Sequence, residues 1–272
     1  MRRVLLPLLV ILFTVILAGC DQSATTQQEA TTTLKLLDVT SGGSGKYGMT
    51  TESYWSDPSK PGTILRCFHD RDWSGLTSDP THCEQFALPP QLPRTTTLLA
   101  MNMGSGQKTQ SIWLVRDQHM VICTHDRTFW ENATGSVTGC QPFARPSQVA
   151  SSALLVSINS GSNIAAQSFW SDGQVCEHEK AQSWFLDNSG FGPVTSCSRF
   201  SIPTDKFPEG LQAPQLAAVT ADGSRPWESF WQDAHGTVVR CQHASNGGLF
   251  DEKTLGQAES CAYWKVPQPV GA

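Results

Sequence analysis

Apolar and polar positions along the last third of the chain change over on a short scale. "LAAVT" (216–220) is apolar and gives way to the turn pair Asp222-Gly223. "ESFWQD" (228–233) is rich in strand-forming residues and stops at "AHG". "TVVRCQH" (237–243) alternates β-branched and polar residues. A loop containing "NGG" follows, then "SCAYWKV" (260–266) up to Pro267. This pattern predicts four short strands joined by turns. Beyond the N-terminal apolar run, no window of 12 or more residues carries a helical period.

The same frame occurs four times. An apolar stretch ends in small residues: "LLDVTSGGSG", "LLAMNMGSG", "LLVSINSGS", "LAAVTADGS". Glu/Gln-Ser-x-Trp follows: "ESYW" (52–55), "QSIW" (110–113), "QSFW" (167–170), "ESFW" (228–231). Cys-x-His comes next, at "CFH" (67–69), "CTH" (123–125), "CEH" (176–178) and "CQH" (241–243). Cys-x-x-aromatic-x-x-Pro closes each unit, at 83–89, 140–146, 197–203 and 261–267. Repetition of six landmarks in one order defines four units, 34–90, 97–147, 153–204 and 215–267. A four-stranded meander this small cannot bury both faces alone, so neighbouring units must complete the core. The expectation is an all-β domain over 34–272, packed as a four-bladed β-propeller; four small modules in a row are the alternative.

Of nine cysteines, eight fall two to a unit. Even allotment to repeats predicts disulfides within units: Cys67–Cys83, Cys123–Cys140, Cys176–Cys197 and Cys241–Cys261. Each would join the third strand to the fourth and add about 3 kcal/mol by restricting the unfolded chain. The histidine two residues on from each first cysteine points to the same face. With the cysteines opposite one another, His69, His125, His178 and His243 would face Thr81, Thr138, Thr195 and Glu259. A cross-strand hydrogen bond is the expectation there. A metal centre would need the four histidines to converge, and a disulfide-bonded sulfur is no nucleophile.

Trp55, Trp113, Trp170 and Trp231 recur at one strand position, as packing residues do. Trp73, Phe129, Trp130, Trp184, Phe185 and Phe250 instead fall in the loops closed by the disulfides. On one face of the domain they would form a binding surface for a sugar or a protein hot spot; folding back to plug the loops is the alternative.

The N-terminus changes the picture of where the chain works. Arg2-Arg3, the apolar "VLLPLLVILFTVILA" and then "LAGC" (17–20) resemble the type II signal peptide and lipobox of bacterial lipoproteins. The resemblance implies removal of residues 1–19 and lipidation of Cys20. Residues 21–33, "DQSATTQQEATTT", have no apolar side chain larger than alanine and read as a flexible tether. Such a chain would be held at the cell membrane on its periplasmic or extracellular face. Asp21 slightly favours the inner membrane under the rule that holds for enteric members of that class.

Loss of Arg2 and Arg3 leaves 17 basic against 24 acidic residues, a formal charge of −7. That balance argues against nucleic acid and against a polybasic grip on lipid. No Gly-rich phosphate loop, His-Glu-x-x-His or Gly-x-Ser-x-Gly is present, and no asymmetric set of acid, base and nucleophile stands out. The expectation is therefore a non-enzymatic, cofactor-free, metal-free protein that binds an envelope protein partner, as a scaffold, assembly factor or immunity-type inhibitor. A lectin-like, carbohydrate-binding repeat protein is the alternative.

Overall fold

The structure is a computed structural model. It describes residues 33–45, 48–71, 76–93, 95–102, 109–116, 119–126, 136–161, 164–179, 191–221, 226–246 and 254–267. Cys20 and the tether before Thr33 lie outside these residues, as do Trp73, Phe129, Trp130, Trp184, Phe185 and Phe250.

Sixteen strands form four sheets. Blade 1 holds β1 (Lys35–Gly45), β2 (Gly48–Ser56), β3 (Ile64–Arg71) and β4 (Thr77–Phe86). Blade 2 holds β5 (Thr97–Asn102), β6 (Gln110–Leu114), β7 (Met120–His125) and β8 (Val137–Phe143). Blade 3 holds β9 (Leu155–Gly161), β10 (Ile164–Trp170), β11 (Gln174–His178) and β12 (Val194–Arg199). Blade 4 holds β13 (Gln215–Thr220), β14 (Trp227–Gln232), β15 (Val238–Asn246) and β16 (Thr254–Trp264). Each sheet is an antiparallel meander in sequence order, and the four make a four-bladed β-propeller.

The first strand of each blade lines the axis, so β1, β5, β9 and β13 neighbour one another. Each carries a bulge at one place, leaving Leu37, Leu99, Val156 and Ala217 without a partner on the second strand. A bulge sharpens the local twist, and four inner strands meeting at one axis need it. The apolar clusters sit between blades. Leu36, Trp55, Phe230 and Trp264 join blades 1 and 4, Leu37, Tyr54, Phe86 and Trp113 join blades 1 and 2, and Leu99, Ile122, Ile158 and Trp170 join blades 2 and 3.

The four disulfides pair as the repeats imply: Cys67–Cys83, Cys123–Cys140, Cys176–Cys197 and Cys241–Cys261. In every blade the two half-cystines are directly opposed across the third and fourth strands.

The axis is polar and breaks the fourfold pattern. After the bulge the equivalent residues are Asp38, Ala100, Ser157 and Ala218. Asp38 is fully buried. Its carboxyl accepts the Met101 N–H at 2.5 Å and the Ser157 hydroxyl at 2.9 Å, tying blade 1 to blades 2 and 3. Burial pushes its pKa well above the usual carboxylate range, against the hydrogen bonds from Met101, Ser157 and Val39, which lower it. No cation pairs with it among the described residues.

A carboxyl whose folded pKa is raised binds its proton more tightly in the fold than in the unfolded chain. Its favourable contribution is complete below the ordinary carboxyl value and is lost as pH rises through the raised one. Asp38→Asn keeps an acceptor for Met101. Its amide can donate to Ser157 Oγ, whose hydroxyl already has the Val219 carbonyl at 3.1 Å as a second acceptor. The variant should match the parent in acid and exceed it increasingly as pH rises. Denaturant midpoints for both proteins across the pH range check this; a constant difference at every pH would refute it.

Candidate functional site

The repeated histidines do not take the partners that simple register assigns. Between the cysteine pair and the histidine, the ladder of third and fourth strands slips by one residue. His69 therefore lies opposite Pro80, His125 opposite Val137, His178 opposite Val194 and His243 opposite Ala258. Thr81, Thr138 and Thr195 sit at the slip and donate to the carbonyls of Phe68, Thr124 and Glu177 instead. Glu259 receives a long bond of 3.4 Å from Gln242 rather than one from His243.

The histidines turn instead to the second strand. Their Nε2 atoms lie 2.6–2.8 Å from the hydroxyls of Ser53, Ser111, Ser168 and Ser229. Those serines are the Ser of Glu/Gln-Ser-x-Trp, and each also accepts the indole N–H of the tryptophan two residues on, at 2.7–2.9 Å. His69, His178 and His243 place Nδ1 at 2.8–3.1 Å from the carbonyls of Ser78, Gly192 and Gly256. A carbonyl only accepts, so Nδ1 carries the hydrogen and Nε2 accepts from serine. The chain of donors runs from tryptophan to serine to histidine to backbone with each of these groups satisfied.

Burial lowers the pKa of all three histidines, that of His69 to about 4, so they are neutral at neutral pH. Serine hydroxyl beside imidazole is the pairing of acyl-transfer enzymes. Here the serine is buried in every blade and its oxygen is covered by an indole N–H. It cannot reach a substrate carbonyl, so the four sets are clamps that fix the second strand against the third. Among the described residues no group of three or more His, Cys, Asp or Glu side chains could hold a metal ion.

The aromatic of Cys-x-x-aromatic links neighbouring blades. Phe86 stacks toward Trp113 of blade 2, Phe200 meets Trp231 of blade 4, and Trp264 stacks on Trp55 of blade 1, with ring centroids 6.4, 6.2 and 5.8 Å apart. Phe143 behaves differently. Its ring lies 6.3 Å from both His178 and Phe191 of blade 3. Beside these rings a cleft of about 220 Å³ opens between Ile122 and residues 141–146 of blade 2 and His178 and residues 191–194 of blade 3.

The local backbone shapes this cleft. Gly192 approaches so closely that a Cβ there would sit 2.6 Å from the Glu179 carbonyl oxygen, and its own carbonyl holds His178. Pro142, Pro146 and Pro193 stiffen both walls. Both nitrogens of His178 are engaged, which leaves the ring itself as wall. Arg145 adds the cleft's positive charge. One of its terminal nitrogens donates to the Ser151 carbonyl at 2.6 Å. Its Nε and Nη2 are shielded from water and have no acceptor among the described residues.

No protein-family model matches the chain, and no curated protein matches its sequence. Among solved structures, the fucose-specific lectin from Aleuria aurantia aligns at 11% identity and TM-score 0.36, over 86% of this chain and 63% of that one. A mutant of the same lectin in complex with α-methyl-L-fucoside aligns at 11% identity and TM-score 0.35, over 86% and 62%. Prp20p from Saccharomyces cerevisiae aligns at 10% identity and TM-score 0.25, over 80% and 61%. This chain thus spans less than two thirds of the length of each.

Proposed function

We propose that this propeller is a non-catalytic binding protein of the cell envelope, anchored through Cys20, and that its ligand is a carbohydrate seated between blades 2 and 3. The cleft carries the reading: it holds about 220 Å³ between the Phe143, Phe191 and His178 rings. That is room for one sugar ring rather than for a protein epitope, whose hot spots spread over hundreds of Å². Aromatic faces suit the C–H faces of a pyranose. Prolines on both walls keep the cleft formed before binding, which spares the ligand an ordering cost.

The mature chain made with Cys20→Ala to remove the anchor, run on a glycan array with its Phe143→Ala variant beside it, tests this. Retention of a restricted set of glycans, lost in the variant, is the expected result. Retention of no glycan, with capture of one envelope protein unaffected by Phe143→Ala, would return the reading to a protein partner.

A further inference from the structure

We infer that the cleft between blades 2 and 3 selects a sugar bearing a carboxylate, bound through the Nε–Nη2 edge of Arg145. This rests on the carbohydrate reading of the same cleft. Nε–H and one Nη2–H point the same way from a planar guanidinium, and their spacing matches the two oxygens of a carboxylate. That edge has no acceptor among the described residues.

The buried Arg66 is paired with Glu52, and Arg240, partly buried like Arg145, is paired with Glu228. Arg145 has no acidic partner among the described residues, in a chain whose formal charge is −5. A charged donor pair left unsatisfied beside a cavity costs free energy that an incoming carboxylate recovers. The edge is shielded from water as it stands, so a ligand requires the side chain to turn into the cleft it lines and to give up the Ser151 carbonyl; Arg145 is only partly buried, which leaves it that freedom. The rest of the described wall, rings and prolines with Ile122, Gln141, Ala144 and Val194, takes the sugar ring but gives an anion no other cation.

The experiment compares matched probes by calorimetry on the anchor-free mature chain. Methyl glucuronide is set against methyl glucoside, and N-acetylmuramic acid against N-acetylglucosamine. The acidic member of at least one pair should bind ten-fold or more tightly. Arg145→Gln should bring that pair to near parity by weakening the acidic member ten-fold or more, a larger loss than the neutral member suffers. Arg145→Lys should restore only part of the difference, because an ammonium is a point charge and not a fork.

Equal affinity for acidic and neutral members in the parent protein would overturn the inference and leave the carbohydrate reading standing. Binding of no sugar in any pair would overturn both. A preference that survives Arg145→Gln would place the carboxylate elsewhere and refute the assignment to this residue. The parent comparison stands even if the variants fold poorly.

Discussion

Trp264→Ala should cost this protein about 3–5 kcal/mol, the range for deleting a large buried aromatic. Trp264 ends β16 and packs across the seam where the last blade meets the first. Its ring centroid lies 4.7 Å from Phe230, 4.9 Å from His69 and 5.8 Å from Trp55, and its indole N–H donates to the Ser78 carbonyl at 3.1 Å. The chain links the other three seams covalently, whereas this one is held by packing and hydrogen bonds. Gln232 helps by bonding both Leu34 and Leu36 across it, and Glu228 by accepting from Thr77.

Removing the indole leaves a cavity bordered by Trp55 and His69, and the Ser78 carbonyl keeps only the His69 Nδ1–H of its two donors. Trp264→Phe should cost less, since its ring is the one Phe86, Phe143 and Phe200 use at the other seams, but it forfeits the N–H. Tyr263→Ala, next along the chain and 56% exposed, should stay within about 1 kcal/mol. Denaturant unfolding of the three variants checks the order. A Trp264→Ala midpoint as close to the parent as that of Tyr263→Ala would show that the seam does not depend on this ring.

How much of this was legible in the sequence depends on what repetition can reveal. Four copies of one strand pattern gave the blades and the disulfide pairing, because any rule that works in one unit must work in all. Register is harder to read. The one-residue slip beside each histidine has no residue signature, and it moved Thr81, Thr138, Thr195 and Glu259 out of reach. The true partners were nevertheless on display. Ser53, Ser111, Ser168 and Ser229 are invariant among the four units and lie two residues before the tryptophan, hence on its face of the strand. A polar residue kept in four copies between buried neighbours asks for a buried partner.

The cleft was not legible at all. It depends on where Phe143 turns relative to His178 and Phe191, which are 35 and 48 residues away in sequence. The loop aromatics expected to form a binding face, Trp73, Phe129, Trp130, Trp184, Phe185 and Phe250, fall outside the described residues.

Arg66→Ile should also cost about 3–5 kcal/mol, the range for stripping a buried charge of its partner. Glu52 is 1% exposed and accepts from Arg66 Nε at 2.7 Å and from Tyr54 at 2.7 Å. The repeats show that this pair travels together. The Glu/Gln of the tryptophan motif and the residue before the first cysteine are Glu52 with Arg66 in blade 1 and Glu228 with Arg240 in blade 4. In blades 2 and 3 they are Gln110 with Ile122 and Gln167 with Val175. Acid keeps company with arginine, and amide with an aliphatic side chain.

The reason is desolvation. A buried carboxylate needs a cation, whereas a buried amide tolerates an apolar neighbour if its own hydrogen bonds are met. Arg66→Ile alone leaves the Glu52 carboxyl buried without its cation, with the Tyr54 hydroxyl as a neutral donor. Glu52→Gln with Arg66→Ile rebuilds in blade 1 the combination that blade 2 carries, and should recover most of the loss. Glu52→Gln alone leaves the guanidinium with Glu84, 3.2 Å away and half-exposed, and should fall between. The four proteins make a double-mutant cycle. Thermal melts should place the single arginine variant roughly 6–20 °C below the parent, with the double variant well above it. If the losses of the two single variants simply add, the pairing across repeats does not reflect a shared charge balance.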